Sequence, residues 1–291
     1  MARQPARALV RACRPRQWAK NVLVLAAPLA AGVITHPAVI GEVALAFVSF
    51  CLVSSATYLL NDVRDREEDR RHPRKRLRPI ASGAISPRVA LGAAGVTAAG
   101  GLAIAAAVRP LLALVAFSYL VLTTSYSLLW RRVVVADVAV IAAGFVLRAV
   151  AGGVAADVTL SRRFLVAVTA GAVFLVVGKR YAELRAGEEE RTSGSRATLR
   201  AYSSVAMRRA TYVAALASVV AYSTFAFMRD PDGVSFYLAI VPVVGWFWRY
   251  IVLLGTGVGQ APEELILRDR VLLLCTVAWL VLFVIGTYAS G

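Results

Sequence analysis

The fold class predicted by this sequence is all-α: a polytopic integral membrane protein with nine transmembrane helices. Three observations predict it. The 291 residues are 59% hydrophobic and only 17% charged, with a mean hydropathy of +0.67. A soluble chain sits nearer 45–50% apolar with about a quarter of its residues charged. The apolar residues fall in long uncharged runs, and the basic residues gather between alternate runs. A water-soluble enzyme with one buried core and a disordered chain are both excluded. Cys13, Cys51 and Cys275 are far apart, without a CxxC, and the chain has two histidines, so neither a disulfide framework nor a zinc site is supported.

A helix needs about 20 mainly apolar residues to cross roughly 30 Å of hydrocarbon. On that basis the spans are Trp18–Thr35, Ala38–Leu60, Val89–Val108, Leu111–Trp130, Val133–Val154, Phe164–Gly178, Ala210–Met228, Phe236–Leu254 and Val271–Ala289. The first is short, carries Pro28 and exits through His36-Pro37; the sixth is also short and can extend into Lys179–Leu184. The Gly255–Gly259 run follows a span rather than a strand, which argues against a nucleotide-binding fold.

The net charge of +16 is almost wholly arginine, since Lys20, Lys75 and Lys179 are the only lysines. With the amino terminus cytoplasmic, the inner segments carry six basic residues in Met1–Lys20, nine in Asn61–Arg88, two at Arg131-Arg132, eight in Lys179–Arg209 and three in Arg249–Arg270. The outer face has four: Arg109, Arg162, Arg163 and Arg229. That asymmetry is the positive-inside pattern, and it accounts for the charge without nucleic acid. Reading Met1–Lys20 and the first span as a cleaved signal peptide leaves the bias unexplained. The expectation is one transmembrane catalytic domain, residues 1–291, in the plasma (inner) membrane. Its cytoplasmic loops lie at about 61–88 and 179–209, and its working face is on that side.

The stretch Asn61-Asp62-Val63-Arg64-Asp65-Arg66-Glu67-Glu68-Asp69 continues the second span. On an unbroken helix Asp62, Asp65 and Asp69 stand at i, i+3 and i+7 on one face, beside Asn61. Three carboxylates on one face repel unless a cation sits between them. Hard oxygen donors of this kind suit Mg²⁺, which completes its shell with substrate phosphate and water. The alternative is a solvated helix end whose acids pair with Arg64, Arg66, Arg70 and Arg71. A Pro-broken basic loop, His72 to Gly83, follows directly and brings Lys75 and Arg78 near the acids, as a diphosphate requires. Part of that loop's charge is the orientation signal itself. Arg148 lies inside a span, where an ionised group marks a functional site by default. Direct pairing of Arg148 with Asp137 is excluded by a separation near 16 Å along the helix. Lys20 and Tyr126 are either interfacial anchors or substrate contacts.

The Asn-Asp-x-x-Asp-x-x-x-Asp pattern at the end of the second span resembles the first signature of the UbiA superfamily of intramembrane prenyltransferases. Arg14–Asn21, Arg78–Gly83 and Tyr126–Arg131 have counterparts there, so the resemblance covers nearly the whole chain. It implies a UbiA-like bundle with a central cavity open to the cytoplasmic face. It also implies that Asp62, Asp65 and Asp69, with Asn61, hold Mg²⁺ on a diphosphate. Members with aromatic acceptors carry a second Asp-rich motif near the end of the sixth span. Here the matching place reads Lys179-Arg180-Tyr181-Ala182-Glu183, with a lysine for the first aspartate. This departure fits a branch that transfers phosphoribose from 5-phosphoribosyl 1-diphosphate to a polyprenyl (decaprenyl) phosphate in cell-wall arabinan (arabinogalactan) synthesis. By that likeness Lys20, Lys75, Arg78, Tyr126, Arg131, Asp137, Arg148, Lys179, Arg180 and Glu183 are candidate substrate contacts. A polyprenyl-diphosphate:aromatic acceptor transferase and a membrane transporter are the competing readings. The transporter should show an internal repeat, which the sequence lacks. A homo-oligomer is compatible with all three.

Overall fold

The computed structural model describes residues 3–130, 134–189, 203–229, 234–256 and 262–288. Among them every long element is helical, and eight helices are long and apolar enough to cross a membrane. The chain forms two compact units.

The first unit comprises Met1–Pro28, Val33–Arg131 and Leu147–Thr159. It contains α1 (Arg3–Ala12), a 3₁₀ segment (Pro15–Leu25), α3 (Pro37–Arg64), α4 (Arg66–Arg71), α5 (Pro87–Val108) and α6 (Pro110–Ser125), and α2 (Ala26–Ala31) begins in it. Prolines open α3, α5 and α6 at the first turn, where a missing N–H costs nothing. Ser86 caps α5 by accepting the Val89 N–H at 3.3 Å. α3 and α5 pack closely because Gly101 has no side chain: a Cβ there would stand 2.7 Å from Val53 and 2.9 Å from the Ser49 carbonyl. Phe50, Val53, Leu112 and Tyr119 fill the core beside Val24 and Ala151.

The Trp18–Thr35 span departs from expectation. It is a 3₁₀ run followed by the six-residue α2, so it is not one spanning α-helix. Pro28 supplies the physical reason. The Val24 carbonyl would receive the N–H of residue 28 in an α-helix, and proline has none. That carbonyl instead lies against Gly152, where a Cβ would stand 1.8 Å from the oxygen.

The second unit comprises Leu29–Gly32, Arg132–Val146 and Leu160–Gly291. It contains α8 (Arg162–Glu189), α9 (Ser204–Arg229), α10 (Val234–Leu238), α11 (Ile240–Gly255), α12 (Pro262–Arg268) and α13 (Arg270–Tyr288); α7 (Val134–Ala155) begins in this unit and ends in the first. Its core is aromatic. Phe174 meets Phe247 edge-on at 4.7 Å between centroids, and Trp246 stacks on Tyr250 at 5.0 Å. Asp269 opens α13, accepting the Val271 and Leu272 N–H groups at 3.1 and 3.0 Å.

Large apolar side chains lie exposed on the outward faces, among them Val96, Leu114, Val213, Leu216 and Leu274. Such a surface is unstable in water and suits hydrocarbon. The protein is multi-pass in the membrane.

Candidate active site

α3 ends at Arg64, and Asp65 forms the joint with α4 at φ −85° and ψ 4°. Helical hydrogen bonds continue through the joint, from Asp65 N–H to the Asn61 carbonyl and from Asp69 N–H to the Asp65 carbonyl. The ψ at Asp65 departs from the helical value, so the two helices meet at this residue. Asp62 and Asp69 are buried, with side chains 3% and 2% exposed, while Asp65 is half-buried at the joint. Among the described residues no three acidic, histidine or cysteine side chains form a group that could hold a metal ion.

The cation between Asp62 and Asp69 is Arg78. One guanidinium nitrogen reaches Asp62 at 3.2 Å and Asp69 at 2.6 Å. Arg14 donates to the same Asp62 oxygen. Both arginines come from distant segments, and a small apolar cluster brings them there. Ala12, just before Arg14, and Ile80, just after Arg78, pack together with Leu59, which stands one turn before Asp62. Arg70 holds the loop by donating to the Ala81 carbonyl at 3.0 Å, and the His72 ring nitrogen accepts the Arg74 and Lys75 N–H groups. Arg14 has a left-handed backbone at φ 55°, uncommon outside glycine, and its guanidinium lies 5.2 Å from the Tyr58 ring centroid. Asn61 and Lys75 are half-buried nearby in sequence; Lys20 donates to Gln17.

Arg148 is buried in the first unit. Its Nε donates to the Asn21 side-chain oxygen at 2.7 Å, its Nη2 to the Tyr119 hydroxyl at 2.8 Å, and its guanidinium carbon lies 4.6 Å from the Tyr119 ring centroid. Asn21 in turn donates to Cys51 Sγ and Ser54 Oγ. These contacts tie the 3₁₀ segment to α3, α6 and α7. Arg148 thus forms a buried cross-brace between Asn21 and Tyr119. Tyr126 opens a π-helical turn, Tyr126–Trp130, that ends α6. Arg131 lies outside the described residues. An apolar groove of about 550 Å³ runs past Leu60, Leu91, Leu120 and Leu128.

In the second unit Arg180 is sealed, with 4% of its side chain exposed. It bonds Asp137 at 2.9 Å and also pairs with Glu183. Arg180 therefore serves two carboxylates of its own unit, where the sequence suggested an open phosphate contact. Lys179 beside it is half-buried.

Sequence reasoning gave no site role to Arg14, Asn21 and Tyr119, although the first two bound the family-like stretch Arg14–Asn21. Asn21 had a signal, being a polar side chain inside an apolar run. Arg14 had a weaker one, an Arg-Pro step before the first span.

A family model of UbiA prenyltransferases matches residues 21–268. The chain belongs to the UbiA prenyltransferase family. Its fold agrees: a UbiA homolog from Archaeoglobus fulgidus bound to GPP and Mg2+ superposes with a TM-score of 0.73 at 18% identity, covering 97% of this chain and 98% of that one. Similar sequences include the decaprenyl-phosphate phosphoribosyltransferase of Mycobacterium tuberculosis, 43% identical over 94% of this chain and 91% of the relative. The enzyme of the same name from Mycolicibacterium smegmatis is 40% identical over 94% and 90%. For this UbiA-family transferase the acidic stretch, Arg78, Arg148 and Arg180 all lie inside the matched residues, whereas Arg14 precedes them.

Proposed function

We propose that the protein transfers phosphoribose from 5-phosphoribosyl 1-diphosphate to a polyprenyl (decaprenyl) phosphate, releasing diphosphate, for cell-wall arabinan precursors. The observation that carries this reading is 40–43% identity, over nearly all of both chains, to relatives bearing that activity in their names.

The donor set at Asp62, Asp69 and the neighbouring Asp65 and Asn61 is oxygen only, which fits Mg²⁺ in kind. The fit requires the Arg78 guanidinium to share or leave the space between Asp62 and Asp69. Bound there, Mg²⁺ would offset charge on the departing diphosphate. Arg78 and Lys75, on the folded-back loop, bind phosphate oxygens of the donor. Lys20, at the start of the chain, is assigned to the same substrate, and Lys179 is a sequence candidate for a phosphate contact. Arg180, Asp137 and Glu183 support the helix that carries Lys179. The acceptor phosphate is already ionised at neutral pH, so its oxygen can attack C1 of the ribose without a strong base. That suits a chain whose two histidines are His36, at the start of α3, and His72, whose ring nitrogen is taken up by the Arg74 and Lys75 N–H groups. The working face is placed on the cytoplasmic side, with the amino terminus, from the distribution of arginines.

The test uses membranes containing the protein, 5-phosphoribosyl 1-diphosphate and a polyprenyl phosphate. Diphosphate release that depends on the lipid, with label from the ribose recovered in the lipid fraction, is the expected result. Consumption of polyprenyl diphosphate with an aromatic acceptor, and none of 5-phosphoribosyl 1-diphosphate, would overturn the reading.

A further inference from the structure

The apolar groove of about 550 Å³ lies within the first unit, where α5 and α6 meet the end of α3. Small residues create it. Ala94, Gly95 and Ala98 occupy about one turn of α5 and form the floor, while Leu91, Leu120 and Leu128 rise beside them. Gly101 is needed for close packing of α3 on α5, but Gly95 is not: a Cβ there would meet nothing within 4 Å. Its missing side chain simply leaves the groove open.

Arg64 stands at one end of this groove. Leu60, one helical turn before it, lines the groove, and so does Leu128, whose carbonyl accepts from Arg64 Nη2 at 3.4 Å. That bond is long for an N–H donor. Arg64 is exposed, and among the described residues it pairs with no carboxylate. A guanidinium with donors to spare thus closes one end of a channel whose walls suit hydrocarbon. We propose that the groove holds an acyl chain of an anionic phospholipid whose phosphate is bound by Arg64. Arginine meets a phosphate through two parallel N–H bonds. Hydrocarbon gains little by leaving other lipid tails for a protein groove, so the headgroup supplies the preference and the groove fixes the place.

The faces of α3 decide which lipid this is. Asp62 lies two residues from both Leu60 and Arg64, about 200° round the helix, and it is buried against Arg14 and Arg78. A lipid with its head at Arg64 sits on the side of α3 away from the acidic pair. Its phosphate cannot be presented there, so it is a resident lipid and not the acceptor. A net negative headgroup keeps its full attraction for Arg64, whereas a choline cation offsets it. Bound in this way, the lipid joins α3, α5 and α6 just before the joint at Asp65. The inference goes beyond the transferase reading and does not depend on it.

The experiment is native mass spectrometry of the full chain released from mixed micelles. These contain equal amounts of dioleoyl phosphatidylglycerol and dioleoyl phosphatidylcholine, with and without decaprenyl phosphate. Wild type should retain one phosphatidylglycerol over phosphatidylcholine by about fivefold, the factor that one basic residue supplies near an anionic headgroup. Arg64→Gln should abolish that preference, and Arg64→Lys should keep most of it. Arg74→Gln removes another exposed arginine, away from the groove, and should leave the preference unchanged. Gly95→Leu should fill the floor and reduce retention to background. Since a Cβ at Gly95 meets no neighbour, its unfolding temperature in lipid-free detergent should match wild type, and only wild type should gain from added phosphatidylglycerol. Equal retention of the two lipids by wild type overturns the proposal. So does an equal loss in Arg74→Gln and Arg64→Gln, which would make the effect one of general surface charge. Unchanged retention in Gly95→Leu removes the groove from it. One-for-one displacement of phosphatidylglycerol by decaprenyl phosphate would overturn the choice of occupant and give the groove to the acceptor.

Discussion

Each unit of the molecule has a pair of carboxylates bridged by one arginine, Asp62–Arg78–Asp69 in the first and Asp137–Arg180–Glu183 in the second. The chemistry is the same and the setting differs. Arg180 grows from the same helix as Glu183, three residues before it, and is closed off from solvent. Arg78 arrives on a loop, and its side chain remains 30% exposed. A sealed guanidinium is a permanent part of the fold, whereas a partly exposed one on a loop is free to move outward. Two identical-looking ion triads are thus assigned different work by exposure and by the element that delivers the arginine.

The comparison breaks most readily at Arg180. Replacing it with Met strands two carboxylates and should cost about 3–5 kcal/mol of stability, read as lost thermal stability in detergent. Adding Asp137→Asn and Glu183→Gln to Arg180→Met should recover most of that loss. Arg78→Met should destabilise less than Arg180→Met, and the reverse order would contradict the assignment. On activity the order inverts. Asp69→Asn should lower phosphoribose transfer to lipid by about a hundred- to a thousandfold, the scale of several kcal/mol of lost leaving-group stabilisation, while leaving the folded yield near wild type.

A smaller effect is expected at Tyr119, whose hydroxyl accepts from the buried Arg148. Tyr119→Phe should cost about 1.5–3 kcal/mol, the range for a hydrogen bond to a charged group, measured by thermal unfolding. The smallest effect is expected at the half-buried Arg249–Asp269 pair. The Arg249 guanidinium, followed by the Leu272 N–H at the start of α13, holds the Asp269 carboxyl below the usual carboxylate range. A depressed folded-state pKa contributes stability that is complete above the unfolded value near about 3.9. That contribution is lost as pH falls further, through the folded value. Asp269→Asn should flatten this acid-side loss and leave the neutral-pH profile of activity unchanged.

Eight of the spans were legible because hydropathy reports length and burial in hydrocarbon, which are local properties. The Trp18–Thr35 segment differs for the same reason: its mean hydropathy is high, but hydropathy does not report the N–H that Pro28 lacks or the 3₁₀ winding before it. The acidic residues were legible as a cluster. Their bridging by Arg78 was not, because that side chain comes from the loop beyond α4 and lies outside the helical periodicity. Arg180 with Glu183 is an i, i+3 pair and could be read along one helix. Arg14 on Asp62 and Arg148 on Asn21 are 48 and 127 residues apart in sequence, and no periodic pattern reports such meetings.

The bare α-carbon of Gly152 carries a consequence for the opposite end of its neighbour. Because the Val24 oxygen rests on it with no room for a methyl group, that hydrogen sets how deeply the 3₁₀ ribbon can settle. The ribbon begins directly after Arg14, so a one-carbon enlargement at Gly152 would lift the stretch that delivers this guanidinium. An alanine there would act on the Arg14–Asp62 contact from afar, as a shim placed under one end of a lever.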